Sequence, residues 1–292
     1  MKNKLAPVVF FLSVLWFSGC SSAPSKPAEI LINRDTALKQ LNYASELANR
    51  GQYENALYIV EDARRLAVST DDPALRVKTS TGRGNILFSL NRNDEAFNEW
   101  ETAAAEADSS GLPVLAALAR IYSIRASLLL LDGQADASAR AEDLKTGLNR
   151  ETAIVRSDSY SLAAANVTLG IAEKQLGRWT EAETALKRAL NVHENDLSLE
   201  EAAYDWFLIA SVRSMAGNYD SALDALRSAI SFDRKAENGY GLASNWQAMG
   251  DVYQKAGRQN EATAAFSRAA EIFRAIGLGS RAEAIEKQSR EN

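Results

Sequence analysis

A chain of 292 residues that is 46% hydrophobic and 24% charged carries enough apolar surface for a sizeable core, which excludes a disordered tail. Its 38 acidic against 33 basic residues give a net charge of −5, with Lys and Arg scattered singly among carboxylates; this excludes nucleic acid as a partner and argues against attraction to an anionic lipid surface. The single cysteine, Cys20, excludes an intramolecular disulfide and a thiolate metal cluster, so stability must come from packing.

Met1-Lys2-Asn3-Lys4 is a basic start, and the apolar run from Leu5 to Phe17 is shorter than the ~20 residues of a membrane span. This reads as a signal-peptide core. It ends in Phe17-Ser18-Gly19-Cys20, which resembles the lipobox of bacterial lipoproteins, with Phe17 where those proteins usually carry Leu, Val or Ile. The resemblance implies a signal peptide over 1–19, a diacylglycerol on Cys20 as the new N-terminus, and attachment to the membrane by that N-terminal lipid only. In two-membrane bacteria an Asp after the cysteine resembles an inner-membrane retention signal; Ser21 stands here, which favours the outer membrane, facing the periplasm. Residues 20–32, small, polar and proline-containing up to Pro27, read as a flexible tether.

From residue 33 onward the chain repeats itself. Turn markers recur at Gly51, Asn91, Gly133, Gly177, Gly217 and Gly257, at spacings of 40, 42, 44, 40 and 40, and two pairs of punctuation residues, Pro73/Pro113 and Gly239/Gly279, keep the 40-residue register. The small Ala56, Ala96, Ala182, Ala222 and Ala262 each precede a larger Val60, Trp100, Leu186, Leu226 or Phe266 by four, the spacing of one helix face, so small residues allow close approach and large ones fill the gap beside them. Trp246-x2-Met249-Gly250-x2-Tyr253, followed by Gly257, Ala262, Phe266 and Ala269, resembles the tetratricopeptide signature, with Arg213 standing one period earlier where that signature has its aromatic residue. The resemblance implies an all-α, tetratricopeptide-type α-solenoid, a right-handed superhelix of about six helical hairpins over 33–292, with helices of roughly 16 to 18 residues. About thirteen helices and no strand are expected.

The third unit is degenerate: Ser138 and Glu142 replace the small and large residues of the pattern, and Gly147 to Ser159 carries little apolar periodicity, which predicts a looser connection there. At the far end Gly277-Leu278-Gly279 stops a helix, and Ser280-Arg281-Ala282-Glu283 reads as a capping box opening a charged cap helix over 280–290.

Chemistry is scarce. His193 is the only histidine and lacks the partner expected of a helical metal site, so it reads as a partly exposed helix-end residue. Gly82-Arg83-Gly84 falls inside a helix and reads as close packing rather than a dinucleotide fingerprint. No cofactor, no metal and no catalytic set is expected, and the protein reads as no enzyme.

Stacked hairpins present their first helices along a concave wall that binds protein or peptide partners. The resemblance therefore implies a membrane-anchored interaction scaffold in the bacterial cell envelope; the alternative is a small-ligand carrier or accessory subunit of a periplasmic solute-uptake system. Tyr204, Phe207, Ser211 and Met215 share one face of a predicted helix, and equivalent offsets select Ile171, Lys174, Gln247, Asp251, Lys255, Asn85 and Arg120 as wall residues. Two readings stay open for this second stripe: a binding surface with an apolar centre, or core buried against adjacent units.

Overall fold

The computed structural model describes residues 31–131 and 134–291. Cys20, the signal segment and Gly133 lie outside the described residues. Among the described residues the chain is helical throughout: α1 (Ile32–Asn49), α2 (Tyr53–Ser69), α3 (Pro73–Ser89), α4 (Asn93–Ser109), α5 (Pro113–Leu129), α6 (Ala137–Val155), α7 (Ser159–Gln175), α8 (Trp179–Asn195), α9 (Leu199–Met215), α10 (Tyr219–Lys235), α11 (Gly239–Lys255), α12 (Gln259–Ala275) and α13 (Gly279–Glu291). None is long and apolar enough to cross a membrane.

The regularity is finer than the sequence period. Helices α2 to α4 and α7 to α12 each run 17 residues and connect by three-residue turns. From Gly51 to Gly111 and again from Gly177 to Gly277, every twentieth residue takes a positive φ, between +50° and +85°. At most of these positions the next residue donates its N–H back five positions, as Gln52 does to the Leu47 carbonyl at 2.9 Å and Arg258 to Tyr253 at 2.8 Å, which satisfies carbonyls that a helix end leaves free. Glycine suits most of these positions because a left-handed backbone costs a side-chain-bearing residue about 1–2 kcal/mol. Pro73 and Pro113 open α3 and α5, where a missing N–H costs nothing. Asp72, Asp158 and Asn238 cap α3, α7 and α11 with side-chain oxygens.

Within a hairpin, each large residue of the second helix faces a small one sixteen positions earlier. Trp100 lies against Gly84, Leu186 against Gly170 and Phe266 against Gly250; a Cβ on any of these glycines would fall within 3.0 Å of the facing side chain. Where the large residue is Val60 or Leu226, the small one is the fully or almost fully buried Ala44 or Ala210. Size is thus matched across the interface, and Gly84 does serve close packing.

Two expectations need correction. The stretch 147–159 is not a loose connection: α6 runs through it to Val155, because Ala141, Leu148 and Val155, seven residues apart, form one fully buried stripe. The irregularity lies earlier, between α5 and α6. The cap helix also begins at Gly279, ahead of the proposed capping box, and is more than a solvating end: Ala282 and Ile285 are buried against Phe266 and Phe273.

The Ile32–Asn292 array winds back on itself. The first hairpin turn meets the starts of α9 and α11: Asn49 donates to the Glu200 carboxylate, and Tyr53 sets its ring edge-on to Tyr240 at 6.1 Å between centroids. Gly51 lies directly under the Tyr240 ring, leaving no room for a Cβ.

Candidate functional site

Beside the closure lies a central cavity of about 700 Å³, lined mainly by the first helices of the pairs, α1, α3, α5, α7, α9 and α11, with Tyr53, His193, Asp233 and Arg281 from α2, α8, α10 and α13. This volume lies within the ~300–1,000 Å³ typical of ligand sites. Tyr53, Tyr122, Tyr160, Tyr204, Phe207 and Tyr240 border it, so aromatic rings come from α2, α5, α7, α9 and α11.

Five of the residues selected from the sequence border this cavity: Tyr204, Phe207, Gln247, Asp251 and Asn85. Tyr204 and Phe207 stack at 6.2 Å with a 16° tilt, and Phe207 leans on the core formed by its own and neighbouring units, so the second stripe is part core and part wall. Tyr204 is 40% exposed, on the cavity wall, and desolvation pushes its phenol up. Asp251 accepts from Gln288 of α13 at 2.9 Å, and the Asn85 side-chain oxygen accepts from the Trp100 indole at 3.1 Å.

The other six are elsewhere. Ile171 is 1% exposed and belongs to the core, offering no binding surface. Ser211, Met215, Lys174 and Lys255 lie in the C-terminal halves of their helices and do not border the cavity. Arg120 pairs with Asp108 and with Glu151 at 3.6 Å in a separate groove floored by Trp100, between α4, α5 and α6. The wall uses the N-terminal parts of α7 and α9 but the C-terminal parts of α1, α3 and α5, so the same offset from each turn does not select wall residues in every unit.

The sequence reading did not single out the polar junctions at the cavity's edge. The end of each second helix packs on the next first helix twelve residues later, and this position is apolar at Val155/Val167 and Phe273/Ile285. In the two units between, it is polar. His193, 8% exposed and not partly exposed as expected, places Nδ1 2.6 Å from Oδ2 of the fully buried Asp205. Asp233 accepts from Asn238 at 2.9 Å and from Asn245 at 2.7 Å. Burial pushes both carboxyls up, against the pull of these partners, and Asp233 reaches about 7. The twelve-residue spacing of buried polar pairs, in register over one period, was the available signal.

Arg213 departs from the tetratricopeptide pattern with a structural consequence. It donates twice to Glu183 of α8, at 2.7 and 3.3 Å, and to the Ser221 carbonyl of α10 at 3.0 Å, tying three helices together. Hydrogen bonds from Arg213, with Lys187 alongside, hold Glu183 down to about 2.

The comparisons bear on this architecture directly. The Tetratricopeptide repeat family model matches residues 161–235 and 200–275, which run from α7 to the end of α12. The fold is a tetratricopeptide-type α-solenoid. Among solved structures, the Rap protein complexed with Competence and Sporulation Factor is similar at a TM-score of 0.59 and 16% identity, over 88% of this chain and 76% of that one. A signal transduction ATPase with a tetratricopeptide repeat sensor, from Pyrococcus horikoshii, is similar at a TM-score of 0.52 and 14% identity; the match covers 90% of this chain and 44% of the ATPase. At these identities the likeness concerns the fold. A search of curated proteins by sequence gives no match. The solenoid accounts for the size code, the three-residue turns and the placement of the first helices on the inner wall.

Proposed function

We propose that this solenoid is a binding protein of the bacterial cell envelope, tethered by lipid on Cys20, that takes an extended segment of a partner protein into its central cavity. It acts by binding, not by catalysis. The observation that carries this reading is the cavity itself: about 700 Å³, walled by first helices and by aromatic rings that supply contact area at low cost in side-chain entropy. A volume of this size suits a few residues of extended chain, not a folded domain, so the partner contributes a terminus or a loop. The Rap neighbour, solved with Competence and Sporulation Factor, is consistent with a solenoid of this kind holding a partner. The volume also favours a second reading, a carrier of a small molecule, because it lies within the range of small-ligand sites.

A random pentapeptide library passed over the full chain and over an Ala248→Trp variant, whose indole fills the cavity, separates binding in the cavity from binding elsewhere. Sequences retained by the parent and lost by the variant are expected; retention indifferent to the indole contradicts the reading. The anchor is tested by intact mass. The basic start, short apolar run and Gly19-Cys20 junction predict a mature chain beginning at a diacylglyceryl-Cys20, and a chain that keeps Met1 or carries a free Cys20 thiol sinks that part.

A further inference from the structure

Three buried polar atoms on residues that line the cavity have no hydrogen-bond partner: Oδ1 of Asp205, Oδ1 of Asn245 and the Ser244 hydroxyl. Asp205 is fully buried and Asn245 is 3% exposed. Their orientation is fixed from behind. Nδ1 of His193 lies 2.6 Å from Oδ2 of Asp205, and the Asn245 amide nitrogen donates to Asp233 at 2.7 Å, which leaves Oδ1 of Asp205 and the side-chain oxygen of Asn245 without a donor. A buried acceptor without a donor is costly and rare in native proteins, and three on two adjacent helices around one space point to a donor that arrives from outside.

The charge balance says what kind of donor. Among the described residues the cavity is bordered by five carboxylates, Glu200, Glu201, Asp205, Asp233 and Asp251, against the guanidiniums of Arg125 and Arg281 and the imidazole of His193. Both guanidiniums are held by the wall. Arg125 donates to the Ala164 carbonyl at 2.7 Å and the Thr168 hydroxyl at 3.1 Å, while Arg281 stands over the Tyr240 and Phe273 rings at 5.0 and 4.9 Å. The negative charge is in excess, and aromatic faces that attract cations surround it.

We infer that the segment bound in the cavity carries a cationic side chain, an arginine or lysine, whose N–H groups donate to Asp205, Asn245 and Ser244 beside the Tyr204–Phe207 stack. This rests on the reading of the cavity as a peptide site and adds the chemistry of the ligand. An acidic segment would add negative charge to a wall that already carries more carboxylates than cations.

Calorimetric titration of the full chain with the capped pentapeptide Ala-Ala-Arg-Ala-Ala, its citrulline and glutamate counterparts, and spermidine tests the inference. Citrulline keeps the shape and most N–H groups of arginine without the charge. The arginine peptide should bind about tenfold or more tighter than the citrulline peptide, the worth of a charge-assisted hydrogen bond, and should weaken as salt is raised. Asp205→Asn should erase that ratio. Because Asp205 also holds His193, Glu201→Gln serves as a second variant: exposed and outside the core, it should lower arginine-peptide affinity a few-fold and leave citrulline binding unchanged. Equal affinity for arginine and citrulline, or preference for glutamate, overturns the inference. Spermidine binding tighter than the arginine peptide overturns the peptide as the carrier of the cation. Failure of all four probes while the pentapeptide library yields neutral or acidic sequences overturns the cation alone; an empty library removes the peptide site itself.

Discussion

Asp233 lies between α10 and α11 with one amide on each of its oxygens, and desolvation still outweighs those bonds, raising it to about 7. A carboxyl raised in the folded state binds its proton more tightly there than in the unfolded chain. Its contribution is therefore fully present below the ordinary value of 3.8 and is lost as pH rises towards about 7, by up to about 4 kcal/mol. Between pH 4 and 7 the melting temperature of the parent should fall relative to Asp233→Asn, with the two curves running parallel above that window. Parallel curves throughout would show that the site does not desolvate Asp233. At the same scale, Leu197 is 78% exposed and holds a φ of +56°. Leu197→Gly should raise the free energy of unfolding by about 0.5–1 kcal/mol, the relief of the left-handed backbone less the added freedom of the unfolded chain. A loss in denaturant titration would contradict that strain. Neither residue was legible in the sequence, since Leu at a turn and Asp near a helix end look like solvated surface until the register is known.

The hairpin is where sequence and structure agree most closely, because the information is local. Ala182 and Leu186 are four apart on one face, Gly170 is one helix away, and such contacts repeat with the period, so a pattern search finds them. The pairing of sizes makes a prediction of its own. Gly250→Ala places a methyl within 2.7 Å of three Phe266 ring carbons and should cost about 1–3 kcal/mol in urea unfolding. Adding Phe266→Leu recreates the Ala210/Leu226 pair found one unit earlier and should recover part of the loss. A double variant no better than the single one would mean that the two positions do not share one contact. Where the pattern faded, the reading failed: α6 keeps a seven-residue stripe of Ala141, Leu148 and Val155 that was masked by the charged residues between them.

At the scale of the whole array, the candidate site was only half legible. The first helices were correctly expected to form the inner wall, and Tyr204, Phe207, Gln247, Asp251 and Asn85 border the cavity. What no repeat encodes is where the winding array meets itself, because that closure joins residues far apart in the chain, Asn49 to Glu200 and Tyr53 to Tyr240, and does not recur with the period. Tyr240 meets Tyr53 and Gly51 at that closure and borders the cavity, while Ser211, Met215 and Lys255 do not. The closure is thin: an amide on a carboxylate between Asn49 and Glu200, and one ring pair between Tyr53 and Tyr240. It decides whether the wall is a cavity or an open groove. In a Cys20→Ser chain, spin labels on the exposed Glu46→Cys and Glu201→Cys, which leave the Asn49–Glu200 and Tyr53–Tyr240 contacts in place, report that distance by continuous-wave dipolar broadening together with double electron–electron resonance. A single short population, with the two labels near contact, is the expected result; a broad distribution, or a population separated by tens of ångströms as in an open superhelix, would contradict the cavity on which the proposed function depends.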